Sequence, residues 1–297
     1  MEWLLEPLSA SFVQRAVIGG SLAAIFCAVV GTWVVVRGMA FLGDAMAHGL
    51  LPGIAIASLL GGNLIIGAAV SAAATAAGVS AISRNKRVSQ DTGIGLLFVI
   101  MLSLGVIIVS ASEGFAVDLA GTLFGDVLAV GTDDILVLAA VGSVVLAAAA
   151  VFHRAFTAAA FNQQKAASLG LRPRAAHFVL LCLITLAVAA SFQVVGTLLV
   201  FGLLIAPPAA ALVWARSVRT VMVLGSAIGV ASVVAGLWIS WYAGTAAGAT
   251  IALVAALSYF LSAIAAAVAG KARPTSSSPS PAPHLETEPV SRAPHSA

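Results

Sequence analysis

AAIFCAVVGTWVVVRGMAFLGDAMAHGLLPGIAIASLLGG, residues 23–62, is an apolar stretch interrupted by Arg37, Asp44 and His48. On either side of Arg37 there is enough apolar chain to form a helix that crosses a lipid bilayer, which takes about 20 residues. The rest of the chain has the same character. Hydrophobic residues make up 61% of the 297 and charged residues only 8%, with a mean hydropathy of +1.10. Soluble domains carry about 25% charged residues, so the composition describes an integral membrane protein with many spans. A transmembrane barrel would show segments of about ten residues with alternating polarity. The apolar runs here are longer and rich in Ala, Leu, Val and Gly, so the expected fold is all-α, a polytopic helical bundle.

The net charge of +3 and the pI near 9.2 do not point to nucleic acid. The basic residues are scattered through short loops, as the positive-inside bias of membrane proteins requires. The first twenty residues, MEWLLEPLSASFVQRAVIGG, lack a basic leader and a clear cleavage site, and no removable signal peptide is expected. Cys27 and Cys182 lie far apart in apolar runs and read as small buried residues.

Hydropathy and turn signals predict about nine spans, within a range of eight to ten, near residues 17–36, 41–60, 63–82, 93–111, 135–152, 175–192, 195–214, 220–240 and 246–268. A short interfacial helix is expected over 3–15. The stretch 113–134 reads as a loop or a short, partly buried helix. Residues 1–270 then form one membrane domain. Residues 271–297 form a Pro/Ser-rich tail with too little apolar surface to fold. With the tail cytoplasmic, the basic loops at 83–87, 153–174 and 215–219 fall on the cytoplasmic side. Glu113, Asp118, Asp133 and Asp134 fall on the other side.

On this map Asp44 and His48 lie inside the membrane. His48 follows Arg37, at the cytoplasmic edge, by eleven residues. At 1.5 Å per residue that is roughly 16 Å, close to the midplane. An ionisable group there is expensive and normally faces a cavity, a partner or a pathway. Positions i and i+4 share a helical face, so the carboxylate and imidazole project together. They either bond each other and fix packing, or supply oxygen and nitrogen to a passing transition-metal ion of the zinc or manganese type. Met46 points to another face and reads as packing. Asp91, Asp118, Asp126 and Gln193 are weaker candidates for a gate or path. Asp91 also reads as a helix N-cap, Gln193 as a polar turn, and Asp118 and Asp126 as ordinary loop residues.

The longest polar insertion, HRAFTAAAFNQQKAASLGLRPR (153–174), holds four of the fourteen Lys and Arg residues and no acid. Its length and composition suit either a plain connector or a helix-turn that docks on a cytosolic motor. No G-x-x-x-x-G-K-[ST] phosphate loop occurs in the chain. If ATP drives the process, a separate chain must hydrolyse it, and this one is not an enzyme.

VVVRGMAFLGDAMAHGLLPG (34–53), DTGIGLLF (91–98), LFGDVLAV (123–130) and VVGTLLVFGLLIAPPAAA (194–211) resemble, in that order, the permease subunits of zinc- and manganese-type ABC importers. The resemblance covers about residues 12–268. It implies an ABC-importer permease fold, a second permease copy as homodimer partner, a cytosolic ABC ATPase subunit, an extracytoplasmic metal-binding protein, and a multi-pass location in the bacterial plasma (inner) membrane. It places the metal-translocation site on Asp44 and His48. The ATPase contact falls on about 160–171, with Phe161, Lys165, Ala166, Leu169, Gly170 and Leu171 as coupling residues. No permanently bound cofactor is implied, since the zinc, manganese or iron ion is cargo. The segment FNQQKAASLGL lacks the acidic pair that often follows this Phe in relatives, and Pro207-Pro208 doubles a single proline.

Two alternatives remain at the sequence level. A proton-coupled secondary metal carrier would be favoured by inverted repeats and broken helices. An ABC permease for a chelated metal or cobalamin-like ligand would need a wider, less charged channel. An intramembrane aspartyl protease is disfavoured, because FLGD and LFGD both lack the first glycine of G-x-G-D.

Overall fold

The computed structural model describes residues 6–82, 89–110, 127–161 and 173–270. Among them are ten α-helices: α1 (Ser11–Val36), α2 (Leu42–His48), α3 (Leu51–Leu59), α4 (Leu64–Ile82), α5 (Gln90–Ser110), α6 (Thr132–Phe161), α7 (Pro173–Val195), α8 (Thr197–Trp214), α9 (Val218–Ala243) and α10 (Ala247–Val268). Short 3₁₀ turns lie at Pro7–Ser9 and Val127–Ala129. Helices dominate because a lipid-exposed backbone must satisfy every N–H and C=O within its own segment. Eight segments are long and apolar enough to cross a membrane, counting α2 and α3 together as one, and a shorter apolar helix spans Ile66–Ile82. The bundle therefore falls within the expected range of spans.

Three boundaries differ from expectation. No interfacial helix precedes the first span in the described residues: α1 starts at Ser11, after the Pro7–Ser9 turn. The second span is two helices, separated at Gly49 and Leu50. The fifth reaches Phe161 rather than ending near 152, because HRAFTAAAF is less apolar than a lipid-facing helix but still a good helix former. The tail from 271 and the stretches 111–126 and 162–172 lie outside the described residues.

α1 is the axle of the bundle. It packs against α6, α7, α8 and α9, and Phe26, Cys27 and Trp33 on it are fully enclosed. The α2–α5 group joins this bundle mainly where α2 meets α7, with lesser contacts of α2 on α8 and of α4 on α7. The outer helices present apolar side chains outward, such as Val151 at 76% exposure and Val268 at 84%, as a lipid-facing surface requires. Cys27 is buried as expected, with its Sγ 3.6 Å from Ser191 Oγ. Cys182 is exposed instead: it lies on the outer face of α7, where apolar chain faces lipid.

Pro207 and Pro208 sit inside α8 without ending it. Neither has an N–H to donate back to the carbonyl four residues earlier. The Leu204 carbonyl, which loses its donor to Pro208, lies against Gly31 of α1, where any Cβ would overlap its oxygen. A glycine on one helix and a proline on the other thus let two backbones meet directly, as small residues do in membrane helix packing.

Candidate functional site

Pro52 shapes the local chain around Asp44 and His48. It occupies the first turn of α3, where its fixed φ is favourable and no donor is needed. In a continuous helix its nitrogen would bond the His48 carbonyl, and proline cannot. α2 therefore ends at His48, and the chain turns through Gly49 and Leu50 before α3 begins. α4 holds the break in place. Ser71 Oγ donates to the Gly49 carbonyl at 2.6 Å and Thr75 Oγ1 at 3.4 Å.

The N-terminal end of α2 is fixed from α5. The Phe41 N–H donates to Asp91 Oδ1 at 3.1 Å. Asp91 is thus not the N-cap of its own helix. Ser89 takes that place, accepting from the Thr92 N–H at 3.1 Å. Asp91 in the first turn of α5 instead caps the helix that carries Asp44 and His48.

On α2 the Asp44 Oδ1 and His48 Nε2 atoms are 3.4 Å apart, and the side chains are 25% and 12% exposed. The pair is largely enclosed but still reachable. At 3.4 Å the contact is longer than a well-formed N–H···O bond of about 2.7–3.2 Å. The second ring nitrogen, Nδ1, is buried with no hydrogen-bond partner. The imidazole edge meets Phe98 of α5, with ring centroids 5.3 Å apart at 63°. The imidazole thus has a ring nitrogen without a protein partner beside the long contact to Asp44. Met46 is buried and its Sδ accepts from Thr185 Oγ1 of α7 at 3.1 Å, so it packs α2 onto the main bundle.

Among the described residues no cluster of three or more His, Cys, Asp or Glu exists. Among the described residues this point thus offers one carboxylate and one imidazole, both on α2. Gln193 lies in the last turn of α7, not in the connection to α8, which turns at Gly196. Phe161 is the last residue of α6. Asp118, Asp126, Lys165, Ala166, Leu169, Gly170 and Leu171 lie outside the described residues.

Sequence reading missed the residues that support the site: Ser71 and Thr75 at the break, and Asp91 as a cap for α2. Their signal was faint, a hydroxyl pair on one face of α4 and an acid after a basic loop.

The model of the ABC 3 transport family matches residues 9–266. The chain is 36% identical to the manganese transport system membrane protein MntC of Halalkalibacterium halodurans, over 86% of this chain and 89% of that protein. It is 32% identical to the probable iron transport system membrane protein of Haemophilus influenzae, over 89% and 97% respectively. The solved structure of PsaBC from Streptococcus pneumoniae in complex with Fab superposes with a TM-score of 0.76 at 32% identity, covering 88% of this chain and 94% of that one. An all-helical bundle with a broken second span, and a family match over nearly all of it, lead to one conclusion: this multi-pass membrane protein belongs to the ABC 3 transport family, as a permease.

Proposed function

We propose that this chain is the membrane-spanning subunit of an ATP-driven importer of a divalent transition metal, manganese foremost, with the ion passing between Asp44 and His48. The observation that carries the reading is the 3.4 Å separation of Asp44 Oδ1 and His48 Nε2 inside the bundle. Oxygen and nitrogen ligands of a zinc-type ion sit about 2.0–2.2 Å from it, and angles from octahedral to tetrahedral put two such donors about 3.0–3.4 Å apart, so this pair can close on one ion with little movement. The negative end of the α2 dipole lies beside His48 and also favours a cation. Two donors hold an ion weakly enough to release it. Further ligands come from a second copy of the chain or from water.

The names of the similar proteins speak of manganese and iron, which supports manganese first, with iron and zinc as competitors. The broken second span is also a feature of secondary carriers, but membership in the ABC 3 transport family supports ATP as the energy source. The partners are then a cytosolic ATPase, an extracytoplasmic metal-binding protein and a second permease copy in the bacterial plasma membrane. Cells carrying the complete system should accumulate radiolabelled Mn²⁺ in an ATP-dependent manner. An excess of unlabelled Zn²⁺ or Fe²⁺ ranks the three ions. No ATP-dependent accumulation of any of them would remove the proposal.

Two further results are expected from the 153–174 insertion. It should be cytoplasmic, because it concentrates basic residues without an acid. A cysteine placed at Gln163 should therefore resist an impermeant thiol reagent in intact cells, and ready labelling from outside would reverse the topology. The ATPase docks on about 160–171, through Phe161, Lys165, Ala166, Leu169, Gly170 and Leu171. Gly170→Pro should lower uptake at least tenfold while the ATPase continues to hydrolyse ATP. Parental uptake in that variant would count against docking at this segment.

A further inference from the structure

Arg37 follows α1 directly as its C-cap, and Asp44–His48 is the one ion pair among the described residues. Arg37 therefore has no carboxylate partner among them. Its guanidinium reaches two other helices. Nη1 lies 3.1 Å from His177 Nδ1, and Nη2 donates to the Phe156 carbonyl at 3.5 Å. A guanidinium can only donate, so His177 accepts at Nδ1 and carries its proton on Nε2. Burial, without a compensating acid, pulls the Arg37 pKa down to about 10.

The two acceptors have a telling place in the chain. Phe156 lies in the last turns of α6, which leads into the 162–172 segment, and His177 lies near the start of α7, which leaves it. Trp33, one turn before Arg37, strengthens the same junction. Its ring meets Phe156 edge-on, with centroids 5.0 Å apart at 77°, and its Nε1–H reaches Thr157 Oγ1 at 3.5 Å. On the other side of Arg37 a tight turn leads straight into α2. In it the Met39 N–H bonds the Val34 carbonyl and the Leu42 N–H bonds the Met39 carbonyl, and Met39 itself is buried. Little slack separates Arg37 from Asp44.

We propose that Arg37 is a positioning residue for transport: it ties the helices on both sides of the ATPase-docking segment to the turn that leads into α2, the helix that carries Asp44 and His48, so that displacement of α6 and α7 moves the metal pair. This rests on the ATP-driven reading above. A side chain that merely filled space could be replaced by one of similar length. Here a short contact to His177 and a longer one to Phe156 join three chain segments, and the coupling depends chiefly on the first.

The test uses the complete system. Uptake of radiolabelled Mn²⁺ is measured in cells, normalised to permease in the membrane, and ATP hydrolysis and Mn²⁺ binding are measured on the extracted complex. Arg37→Met keeps the length of the side chain and removes its donors. It should keep hydrolysis and Mn²⁺ binding within about twofold while lowering uptake at least tenfold. Arg37→Lys, with one donor centre in place of the fork, should recover part of the loss. Uptake that stays in proportion to hydrolysis in Arg37→Met overturns the proposal, whether both persist or both fall. Should Arg37→Met fail to assemble, His177→Leu removes only one acceptor and decides the matter by the same ratio of uptake to hydrolysis. Asp44→Asn separates this inference from the metal-path reading. Full Mn²⁺ binding and uptake in that variant would sink the Asp44–His48 path, while the uptake-to-hydrolysis ratio of Arg37→Met would still report on coupling.

Discussion

Asp44→Asn is expected to reduce metal uptake to the level of cells that lack the chain, with the amount of protein in the membrane close to normal. Asparagine keeps the shape of the side chain but removes the charge that, on the proposed path, replaces the ion's lost hydration. His48→Ala removes the nitrogen donor and should give the same result. A divalent ion entering the bundle gives up water that a low-dielectric interior does not return. Losing as little as about 3 kcal/mol of compensating interaction at the barrier slows passage roughly a hundredfold. Stability should suffer little. The Asp44–His48 contact is 3.4 Å long and leaves His48 Nδ1 without a partner, so it contributes little to folding. A packing role predicts the reverse pattern, with less protein in the membrane and normal transport per surviving molecule. Radiolabelled Mn²⁺ uptake, normalised to membrane protein, separates the two. Parental uptake in both variants would reduce the pair to packing.

The order and extent of the spans were legible in the sequence because lipid leaves the backbone one solution per apolar run. Hydropathy marks where lipid contact ends, however, and not where a helix ends. α6 continues to Phe161 for that reason. The Asp44–His48 pair was legible as a candidate because two ionisable residues four apart stand out in an apolar stretch. Its supports were not. The bond from the Phe41 N–H to Asp91 spans 50 positions, and that from Arg37 to His177 spans 140. No local periodicity encodes such contacts. The break in the second span was missed altogether: 41–60 reads as one span. Pro52 cannot donate to the His48 carbonyl and so permits the stop, but only the packing of α3 on α4 shows what holds it open.

That packing supplies the second large expected effect. Gly53 of α3 and Gly67 of α4 lie so close that a Cβ on either would overlap the carbonyl oxygen of the other. Ala57 and Ser71 follow one turn later on the two helices, completing a small-residue crossing. Gly53→Ala gains about 0.5–1 kcal/mol of helix propensity. Against this, overpacking costs about 1–3 kcal/mol, and the obstacle here is backbone that cannot rotate away. Parting the helices also stretches the Ser71 Oγ bond to the Gly49 carbonyl, now 2.6 Å, a loss of about 0.5–1.5 kcal/mol. Destabilisation wins by about 2 kcal/mol on these figures, and a bulkier Gly53→Leu should leave no folded protein in the membrane. Because Ser71 fixes the break just after His48, surviving Gly53→Ala molecules should also transport more slowly. Gly202→Ala, inside α8, is the control, since its new methyl would meet Ala252 at an ordinary 3.5 Å; it should leave uptake unchanged and stability equal to the parent's or slightly higher, by the same helix propensity. Thermal unfolding of the purified protein in detergent, with Mn²⁺ uptake alongside, reads both effects. If Gly53→Ala melts with the parent, α3 and α4 do not cross as closely as the structure has them, and the Gly49 carbonyl is held by something other than Ser71.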